Sequence, residues 1–298
     1  MLQFVCFGSG SSGNCSYLSN GTDAVLIDAG IGIRRLKRYV REYGLKTSIL
    51  RGILVTHDHA DHIKAAGYVS NELNLQVYAT AEVHEGMRKS HQTMRKVDPS
   101  RNVNIEKGVP FDLGTSLRVT AFPLPHDATD NVGYCIESAE GETFCVMTDI
   151  GAPTEEVSTY IGKANYLMIE ADFDAEMLRN GPYPQYLKDR ITSGTGHLSN
   201  EQTSQLLADN FHENLRHVWL CHLSEQNNHP ELARKTVEQR LRGYGIIAGV
   251  DFELDVLKRH VVSGPWEMEE SEKASPPTPS LTPNPSPKGE GNFKGRGE

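Results

Sequence analysis

The sequence lacks the features that mark membrane-spanning, disulfide-stabilised and nucleic-acid-coating proteins. No apolar run approaches the roughly 18 residues that a membrane span needs, and the N-terminus has no basic region typical of a secretory signal. The five cysteines are scattered and include no Cys-x-x-Cys pair, which argues against a disulfide framework or a thiolate zinc site. A net charge of −9 argues against coating of nucleic acid through bulk charge, but it leaves room for a local basic patch. We therefore expect a cytoplasmic protein that does not act in a membrane.

The residues that are present suffice for one folded domain followed by a tail. Hydrophobic residues make up 38% of the 298 positions and charged residues 23%, so we do not expect overall disorder. From 271 onward Pro, Gly, Ser and charged residues dominate, and such a segment cannot bury enough apolar surface to offset its ordering entropy. We predict one domain over 1–265 and a disordered tail over 266–298. A Pro-rich docking segment is the alternative for the tail.

Short apolar runs alternate with amphipathic stretches along the predicted domain, which is typical of a mixed α/β fold. The amphipathic stretches include 34–43, 62–73, 201–211 and 230–242. Six apolar runs lead to a histidine or a carboxylate, namely Asp28, His57, His126, Asp149, Glu170 and His222. Because side chains at the strand ends of one sheet edge can converge on a single crevice, this composition predicts a metal site.

The densest group of candidate ligands is the sequence His-Asp-His-Ala-Asp-His at 57–62, directly after an apolar strand. A tight turn can direct His57 and His59 to one ion, and Asp61 and His62 can then reach a second ion. Neutral imidazole and carboxylate are ligands that suit zinc, manganese or iron. The alternative is a polar turn that happens to be rich in histidine. The histidines and the aspartate at later strand ends argue against that alternative.

The His-x-His-x-Asp-His motif, followed by single His, Asp and His residues at later strand ends, resembles the metallo-β-lactamase superfamily. The resemblance covers about 1–265 and implies a four-layer αβ/βα sandwich with a dinuclear site, holding two divalent ions (Zn or Mn), at the sheet edges. It implies that one ion is held by His57, His59 and His126. It implies that the second is held by Asp61, His62 and His222, and that Asp149 bridges both. Asp28 is expected to orient the His-rich turn or, as an equal alternative, to be a plain turn residue.

The complete ligand set is shared by glyoxalase-II-like thioesterases and ribonuclease-Z-like phosphodiesterases, so the ligands alone leave the substrate open. A glycine-rich segment after the first strand favours a phosphate. Its glycines let backbone N–H groups approach an anion, and a flexible turn is the alternative reading. The side chains that add hydrogen-bond donors there are Ser9, Ser11, Ser12 and Asn14.

Two further features favour a phosphodiester substrate. His197 precedes a helix whose start is marked by a capping box of Ser199 and Gln202, and a helix N-terminus suits phosphate. His197 also resembles the non-ligand catalytic histidine of ribonuclease-Z-like enzymes, with Glu170 upstream as an outer carboxylate; a surface histidine is the alternative. The predicted helix after Asp28 carries a basic face that either follows a phosphate backbone or is simply solvated. The basic face consists of Arg34, Lys37, Arg38 and Arg41, opposite an apolar face of Leu36, Val40 and Tyr43.

The glycine-rich start, the His-rich turn and the segments Thr-Asp-Ile-Gly, Glu-Ala-Asp-Phe-Asp, Gly-His-Leu-Ser-Asn and Cys-His-Leu-Ser together resemble the YycJ/WalJ-like branch of the superfamily. That branch implies a bacterial cytoplasmic 5′→3′ exonuclease acting on DNA. Too few positions separate Asp149 from His222 for an additional nuclease domain of about 50 residues or more.

The mechanistic hypothesis is that a hydroxide shared by the two ions attacks phosphorus. Asp61 accepts the proton of this nucleophile, and His197 donates a hydrogen bond or a proton. The alternatives are a thioesterase or small-phosphodiester hydrolase at the same site, or a catalytically silent metal-binding signalling protein. The sequence leaves open the native metal, DNA against RNA, and the oligomeric state.

Overall fold

The structure of the protein is a computed structural model, which describes residues 1–93 and 95–268. Within these ranges the chain forms fourteen strands and nine α-helices. The strands are β1 (Leu2–Gly8), β2 (Cys15–Ser19), β3 (Ala24–Ile27), β4 (Leu50–Leu54), β5 (Gln76–Ala79), β6 (Asn102–Asn104), β7 (Phe111–Leu113), β8 (Leu117–Pro123), β9 (Val132–Ser138), β10 (Thr143–Met147), β11 (Tyr166–Glu170), β12 (His217–Cys221), β13 (Glu253–Val256) and β14 (Ser263–Met268). The helices are α1 (Ile33–Glu42), α2 (Ala60–Ile63), α3 (Ala66–Leu73), α4 (Ala81–Lys89), α5 (Glu155–Ile161), α6 (Ala175–Asn180), α7 (Gln185–Ile191), α8 (Asn200–Asn210) and α9 (Pro230–Gly243).

The strands form two seven-stranded sheets with the same internal pattern. The order is β14-β1-β2-β3-β4-β5-β6 in the first sheet and β7-β8-β9-β10-β11-β12-β13 in the second. In both sheets the first four strands pair antiparallel and the last four pair parallel. The change of direction therefore falls at β3 in one sheet and at β10 in the other. Each of these strands is followed within two residues by an aspartate, Asp28 or Asp149.

Apolar side chains fill three layers, and this arrangement confirms the predicted four-layer αβ/βα sandwich. Between the sheets the ring of Phe4 lies 4.9 Å from the rings of both Phe144 and Trp219. Helices cover the outer face of each sheet with buried side chains of their own. These include Leu36 of α1, Val69 of α3 and Val83 of α4 on the first sheet, and Val157 of α5, Leu207 of α8 and Val237 of α9 on the second.

The amphipathic stretch over 62–73 is helical but interrupted, because two short helices, α2 and α3, occupy it. The backbone N–H of Ala29 donates to the carbonyl oxygen of His62, and the N–H of Ala65 donates to the carbonyl oxygen of Ala29. The loop after β3 thus occupies backbone groups that a continuous helix would use. The predicted apolar face of α1 also needs one correction: Tyr39 is buried, whereas Tyr43 follows the helix end and is exposed.

The last strand, β14, ends at Met268, three residues beyond the predicted domain boundary at 265. The rest of the predicted tail, 269–298, lies outside the described residues. Among the helices that the structure describes, none has the length and apolar character needed to cross a membrane.

Candidate metal centre

Polar residues that follow strands of both sheets meet at one edge of the sandwich. Three of them, Asp28, Asp149 and His222, have positive φ angles of 59°, 58° and 55°. Non-glycine residues adopt this left-handed conformation uncommonly, and it costs of order 1–3 kcal/mol when the surroundings enforce it. The chain therefore turns sharply directly after β3, β10 and β12. Such strained positions cluster at functional sites in proteins.

The structure brings all seven predicted ligands together in overlapping groups. The ligand atoms of His57, His59 and His126 lie within 4.8 Å of one another, and so do those of Asp61, His62 and His222. A third group of the same dimension joins Asp149 to one histidine of each set, His57 and His62. These groups contain the same residues as the predicted ligand sets. Their role in binding metal stays a prediction.

Each of the five imidazoles has one ring nitrogen near an oxygen atom outside the cluster. This arrangement is typical of metal-binding histidines, whose second nitrogen is held by a carbonyl, a carboxylate or another oxygen. The pairs are His57 Nδ1 with Thr56 Oγ1 at 3.0 Å, His59 Nε2 with the Asp127 carbonyl at 3.3 Å, His62 Nδ1 with Asp28 Oδ2 at 2.7 Å, His126 Nδ1 with the Gly196 carbonyl at 2.9 Å, and His222 Nδ1 with Glu170 Oε1 at 3.4 Å and Asp172 Oδ2 at 3.5 Å.

The other ring nitrogens face the cluster itself. His57 Nε2 is buried and makes no hydrogen bond to any described residue. His59 Nδ1 and His126 Nε2 lie 3.3 Å apart. At this distance two imidazole nitrogens either form a hydrogen bond with each other or bind a common ligand. The carboxylate of Asp61 lies 3.4 Å from Nε2 of both His62 and His222. A converging set of imidazole nitrogens and carboxylate oxygens is suited to cations.

Electrostatics within the cluster also favour a cation. Burial opposes ionisation of Asp149, but the charges of His222 and His62 outweigh it and hold the pKa of this carboxyl well below its usual range. Burial lowers the pKa of His57 well below its usual value, and the charge of His62 adds to this effect. His57 is therefore a neutral imidazole, the form that binds a metal. In the protein alone, protonated His62 and His222 balance these ionised carboxylates. Burial lowers the pKa of His62, but the charges of Asp28, Asp61 and Asp149 outweigh it and raise this pKa well above its usual value. Burial likewise lowers the pKa of His222, but Asp149, Asp172 and Asp61 outweigh it and raise this pKa.

His197 lies beside the predicted ligands and is held by Glu170. Its Nδ1 is 2.8 Å from Glu170 Oε1, and the other carboxylate oxygen accepts backbone hydrogen bonds from Ile150 at 2.9 Å and Leu198 at 3.0 Å. Burial lowers the pKa of His197, but the charges of Glu170 and Asp172 outweigh it and raise this pKa to about 9. The His197 Nε2 atom makes no hydrogen bond within the described residues. The predicted capping box of Ser199 and Gln202 is present at the start of α8 and fixes the backbone next to it.

The predicted anion-binding residues of the 8–14 loop divide into two groups. Ser9 and Asn14 are buried, and their side chains are engaged within the centre. Ser9 Oγ accepts a hydrogen bond of 2.8 Å from the backbone N–H of His222, and Asn14 Nδ2 donates to Asp61 Oδ2 at 3.1 Å. Ser11 and Ser12, by contrast, are exposed at the tip of the loop. The first pair positions predicted ligands, and only the second pair is free to meet a substrate.

The basic face predicted on α1 is exposed but is not brought to the cluster by any contact in the described part of the chain. Lys37 forms an ion pair with Glu72, and Arg38 Nε lies 3.6 Å from Glu42 Oε1. Arg34 is likewise exposed. The structure therefore offers no support for Arg34 and Arg38 as residues of the site.

Sequence reasoning missed Asp127, which follows directly after His126. Its carboxylate pairs with Arg190 of α7, and its Oδ1 atom lies 3.4 Å from His126 Nε2. Its position directly after a predicted ligand is the sequence feature that could have identified it. Asp58, within the His-rich turn, faces away instead and accepts hydrogen bonds from Thr129 N at 3.0 Å and Thr129 Oγ1 at 2.6 Å.

Comparison with known proteins identifies relatives over most of the chain. A protein family described as the beta-lactamase superfamily domain matches residues 23–222. The exodeoxyribonuclease WalJ of Streptococcus pneumoniae is 32% identical over 253 residues, which cover 85% of this chain and 93% of the relative. The exodeoxyribonuclease YycJ of Bacillus anthracis is 32% identical over 258 residues, which cover 85% and 94%. The crystal structure of zinc-bound PqqB from Methylobacterium extorquens superposes with a TM-score of 0.62 at 17% identity, over 89% of this chain and all of the other.

Proposed function

This chain belongs to the metallo-β-lactamase superfamily, and from that premise we propose that it is a 5′→3′ exonuclease acting on DNA. Membership makes it a metal-dependent hydrolase; the proposal adds the substrate, the direction of cleavage and a dinuclear centre. Two relatives that match over most of their length are named exodeoxyribonucleases, which supports DNA as the substrate. The 5′→3′ direction follows from the resemblance to their branch of the superfamily.

The observation that carries the proposal is the convergence of five imidazoles with the carboxylates of Asp61 and Asp149, four of the imidazoles being hydrogen-bonded through one ring nitrogen to an oxygen outside the group. We assign a first cation to His57, His59 and His126. A second cation is assigned to Asp61, His62 and His222, with Asp149 shared between the two. Imidazole and carboxylate together suit zinc or manganese, and the zinc-bound fold neighbour supports zinc. When bound, such ions lower the pKa of water toward neutrality and offset negative charge on phosphoryl oxygens.

The protein side chains then position and move protons. His197, oriented through Nδ1 by Glu170, presents Nε2 to donate a hydrogen bond to a phosphoryl oxygen or a proton to the leaving oxygen. A positioned acid of this kind contributes about 10²–10⁴-fold in rate. Asp61, which is held by Asn14 and lies beside His222, accepts the proton of the attacking water.

The test is an activity assay with the purified full chain supplied with Zn²⁺ or Mn²⁺. Single- and double-stranded DNA and RNA, labelled at the 3′ end and carrying a 5′-phosphate or a 5′-hydroxyl, are incubated with the protein and resolved by length. A product ladder that starts at the 5′ end of DNA supports the proposal. Hydrolysis of an acyl-thiol conjugate without cleavage of DNA indicates a thioesterase. Metal binding without hydrolysis of DNA or bis-p-nitrophenyl phosphate indicates a catalytically silent protein.

Variants test the assigned roles in the same assay. We expect Asp61→Ala and His197→Ala to lose most turnover, and metal content is measured for each so that loss of metal and loss of proton transfer are separated. The matched control is His91→Ala, because His91 is exposed and lies outside the centre. Wild-type turnover in both Asp61→Ala and His197→Ala would show that the assigned roles are wrong.

A further inference from the structure

The two ends of the 8–14 loop are bonded to residues of the predicted second cation position. The backbone N–H of Asn14 donates to the carbonyl oxygen of Asp61 at 2.7 Å, and the N–H of Gly30 donates to the carbonyl oxygen of Asn14 at 2.7 Å. Ser9 at the start of the loop holds the backbone of His222. The exposed Ser11 and Ser12 therefore lie at the tip of a loop whose two ends are bonded to residues of the centre.

Three basic side chains from separate segments surround this tip, and we call Arg35, Lys64 and Arg259 the basic rim. Lys64 Nζ donates to the carbonyl oxygen of Ser12. Arg35 Nη2 donates to the carbonyl oxygen of His260 at 3.0 Å. The ring of His260 in turn contacts the loop, with its Nδ1 atom 3.2 Å from Ser12 Oγ. The aliphatic part of Arg259 packs over the loop, where a Cβ added at position 10 would lie 3.1 Å from its Cγ.

The positive charge of the basic rim is not neutralised by ion pairs. Its members donate to neutral backbone carbonyls, and none of the three pairs with a carboxylate anywhere in residues 1–93 and 95–268. Lys37 and Arg38 on the predicted basic face of α1 differ, because each is paired with a glutamate. The charges that do face the rim are Asp61, which interacts with Lys64, and Glu225, which lies 3.7 Å from His260. The chain has a net charge of −9, yet these cations form no ion pairs and lie beside a hydrolytic centre. Such a position favours the binding of an anionic ligand.

We propose that the basic rim and the tip of the 8–14 loop bind a phosphate group of the substrate strand, next to the phosphodiester at the metal centre. The proposal rests on the proposed function, since it names how that substrate is held. In the 8–14 loop the backbone N–H groups of Ser9, Gly10, Gly13 and Asn14 are used within the protein, whereas those of Ser11 and Ser12 donate to no described residue. Free backbone N–H groups and neighbouring cations are the usual components of a phosphate site. The rim thereby sets which phosphate of a strand reaches the metal centre.

The test measures binding apart from turnover. A phosphorothioate-linked dodecathymidylate, which resists hydrolysis, carries a 3′ fluorophore and either a 5′-phosphate or a 5′-hydroxyl. Its affinity for the metal-loaded protein is measured by fluorescence anisotropy between 50 and 200 mM KCl. The variants are Arg35→Ala, Lys64→Ala, their combination, and the conservative Lys64→Arg. Lys37→Ala is the control, because Lys37 is an exposed, glutamate-paired cation outside the rim.

We expect each rim substitution to weaken binding about tenfold and to reduce the slope of log affinity against log salt by about one. Lys64→Arg retains the charge and should bind like the wild type. If Lys64 only held the loop in place, Lys64→Ala would leave the salt slope unchanged. A loss confined to the 5′-phosphorylated strand assigns the site to the terminal phosphate, and an equal loss for both strands assigns it to a phosphodiester. Wild-type affinity and salt slope in the folded double variant would overturn the proposal.

The two proposals fail differently. If the wild-type protein binds the strand through the rim but does not cleave DNA, the exonuclease function is wrong and the phosphate site stands. If it cleaves DNA and the double variant both binds and cleaves like the wild type, the phosphate site is wrong and the function stands. As a further readout, the double variant should lose more kcat/KM on DNA than on bis-p-nitrophenyl phosphate, which has no neighbouring phosphate.

Discussion

At the residue scale, Gly30 is the point where the loop after β3 touches the His-rich turn. A Cβ built at Gly30 would lie 1.5 Å from the carbonyl oxygen of Asp61 and 2.7 Å from the backbone nitrogen of Asn14. We expect Gly30→Ala to displace the turn, to lower the unfolding free energy by about 1–3 kcal/mol and to weaken metal binding. Unfolding in urea and metal content by mass spectrometry measure the two effects.

The neighbouring Gly32 provides the matched control for this prediction. Nothing lies within 4 Å of a Cβ built there, and its φ angle is negative. Gly32→Ala should therefore keep wild-type metal content and lose only the modest stability that alanine costs at the N-cap of α1. Equal behaviour of the two alanine variants would show that the close approach at Gly30 has no consequence.

A second prediction at this scale concerns Glu170 as a positioning residue for His197. Glu170→Gln keeps the size of the side chain but leaves one oxygen to serve His197 and the backbone of Ile150 and Leu198. We expect kcat on bis-p-nitrophenyl phosphate to fall about 10–100-fold with little change in KM. Because the two residues act as a unit, the double variant with His197→Ala should be no slower than His197→Ala alone. Additive losses would separate the two roles, and metal content controls for the contact of Glu170 with His222.

At the element scale, Asp23 joins the start of β3 to the turn between β7 and β8, across the two sheets. It is fully buried, pairs with Arg51, and accepts hydrogen bonds from Thr115 N at 2.7 Å and Ser116 N at 2.8 Å. Removal of the buried carboxylate leaves these donors without their partner. We expect Asp23→Ala to lower the unfolding free energy by about 2–4 kcal/mol, measured in urea at pH 7. Asp112→Ala, in the neighbouring strand β7 and largely exposed, is the control.

The contribution of Asp23 should depend on pH with a definite sign. Burial opposes ionisation, but hydrogen bonds from Ser116 and Arg51 outweigh it and hold the pKa of Asp23 below its usual range. A lowered pKa means that the stabilisation is complete above the unfolded value of about 3.9 and is lost as the pH falls below it. The difference in unfolding free energy between wild type and Asp23→Asn should thus shrink between about pH 6 and about pH 3. A constant difference over that range would contradict the role of the charge.

The same scale shows how far the sequence could predict this protein. The strand β12 can be predicted from the sequence, because a buried parallel strand is an apolar run, here 218–221, and this run ends at the polar His222. The break between α2 and α3 could not be predicted, since the backbone of Ala29, distant in sequence, causes it. Ser9 and Asn14 were recognised as polar loop residues, but only the fold shows that their groups are used by His222 and Asp61.

The basic rim was missed for a related reason. Helical spacing identifies charges that share a face of one element, as it did for Arg34 and Arg38. It carries no information on charges that converge from different elements, and Arg35, Lys64 and Arg259 meet only at the 8–14 loop. The seven clustered predicted ligands were accessible to sequence reasoning because each lies at or near a strand end of a recognisable pattern.

At the scale of the whole molecule, each predicted cation position draws residues from both sheets. His57 and His59 follow β4 of the first sheet, whereas His126 follows β8 of the second. The other set likewise combines Asp61 and His62 with His222, which follows β12. Cations bound at both predicted positions would connect the two halves of the sandwich at one edge, in addition to the apolar core between the sheets. Their removal leaves buried carboxylates that only protonated imidazoles balance.

Metal removal should therefore destabilise the entire fold. A ligand present at about 1,000 times its dissociation constant stabilises the folded state by about 4 kcal/mol per site, and 1 kcal/mol shifts Tm by roughly 2–4 °C in a protein of this size class. We expect treatment with EDTA and dialysis to lower Tm by about 10 °C or more, and re-addition of Zn²⁺ or Mn²⁺ to restore it, as measured by differential scanning calorimetry. His222→Ala should show a smaller response to metal, whereas Asp23→Ala should have a lower Tm but an undiminished response. An unchanged Tm after verified metal loss would mean that the apolar core alone holds the sheets in register and that the centre is strained without contributing to stability.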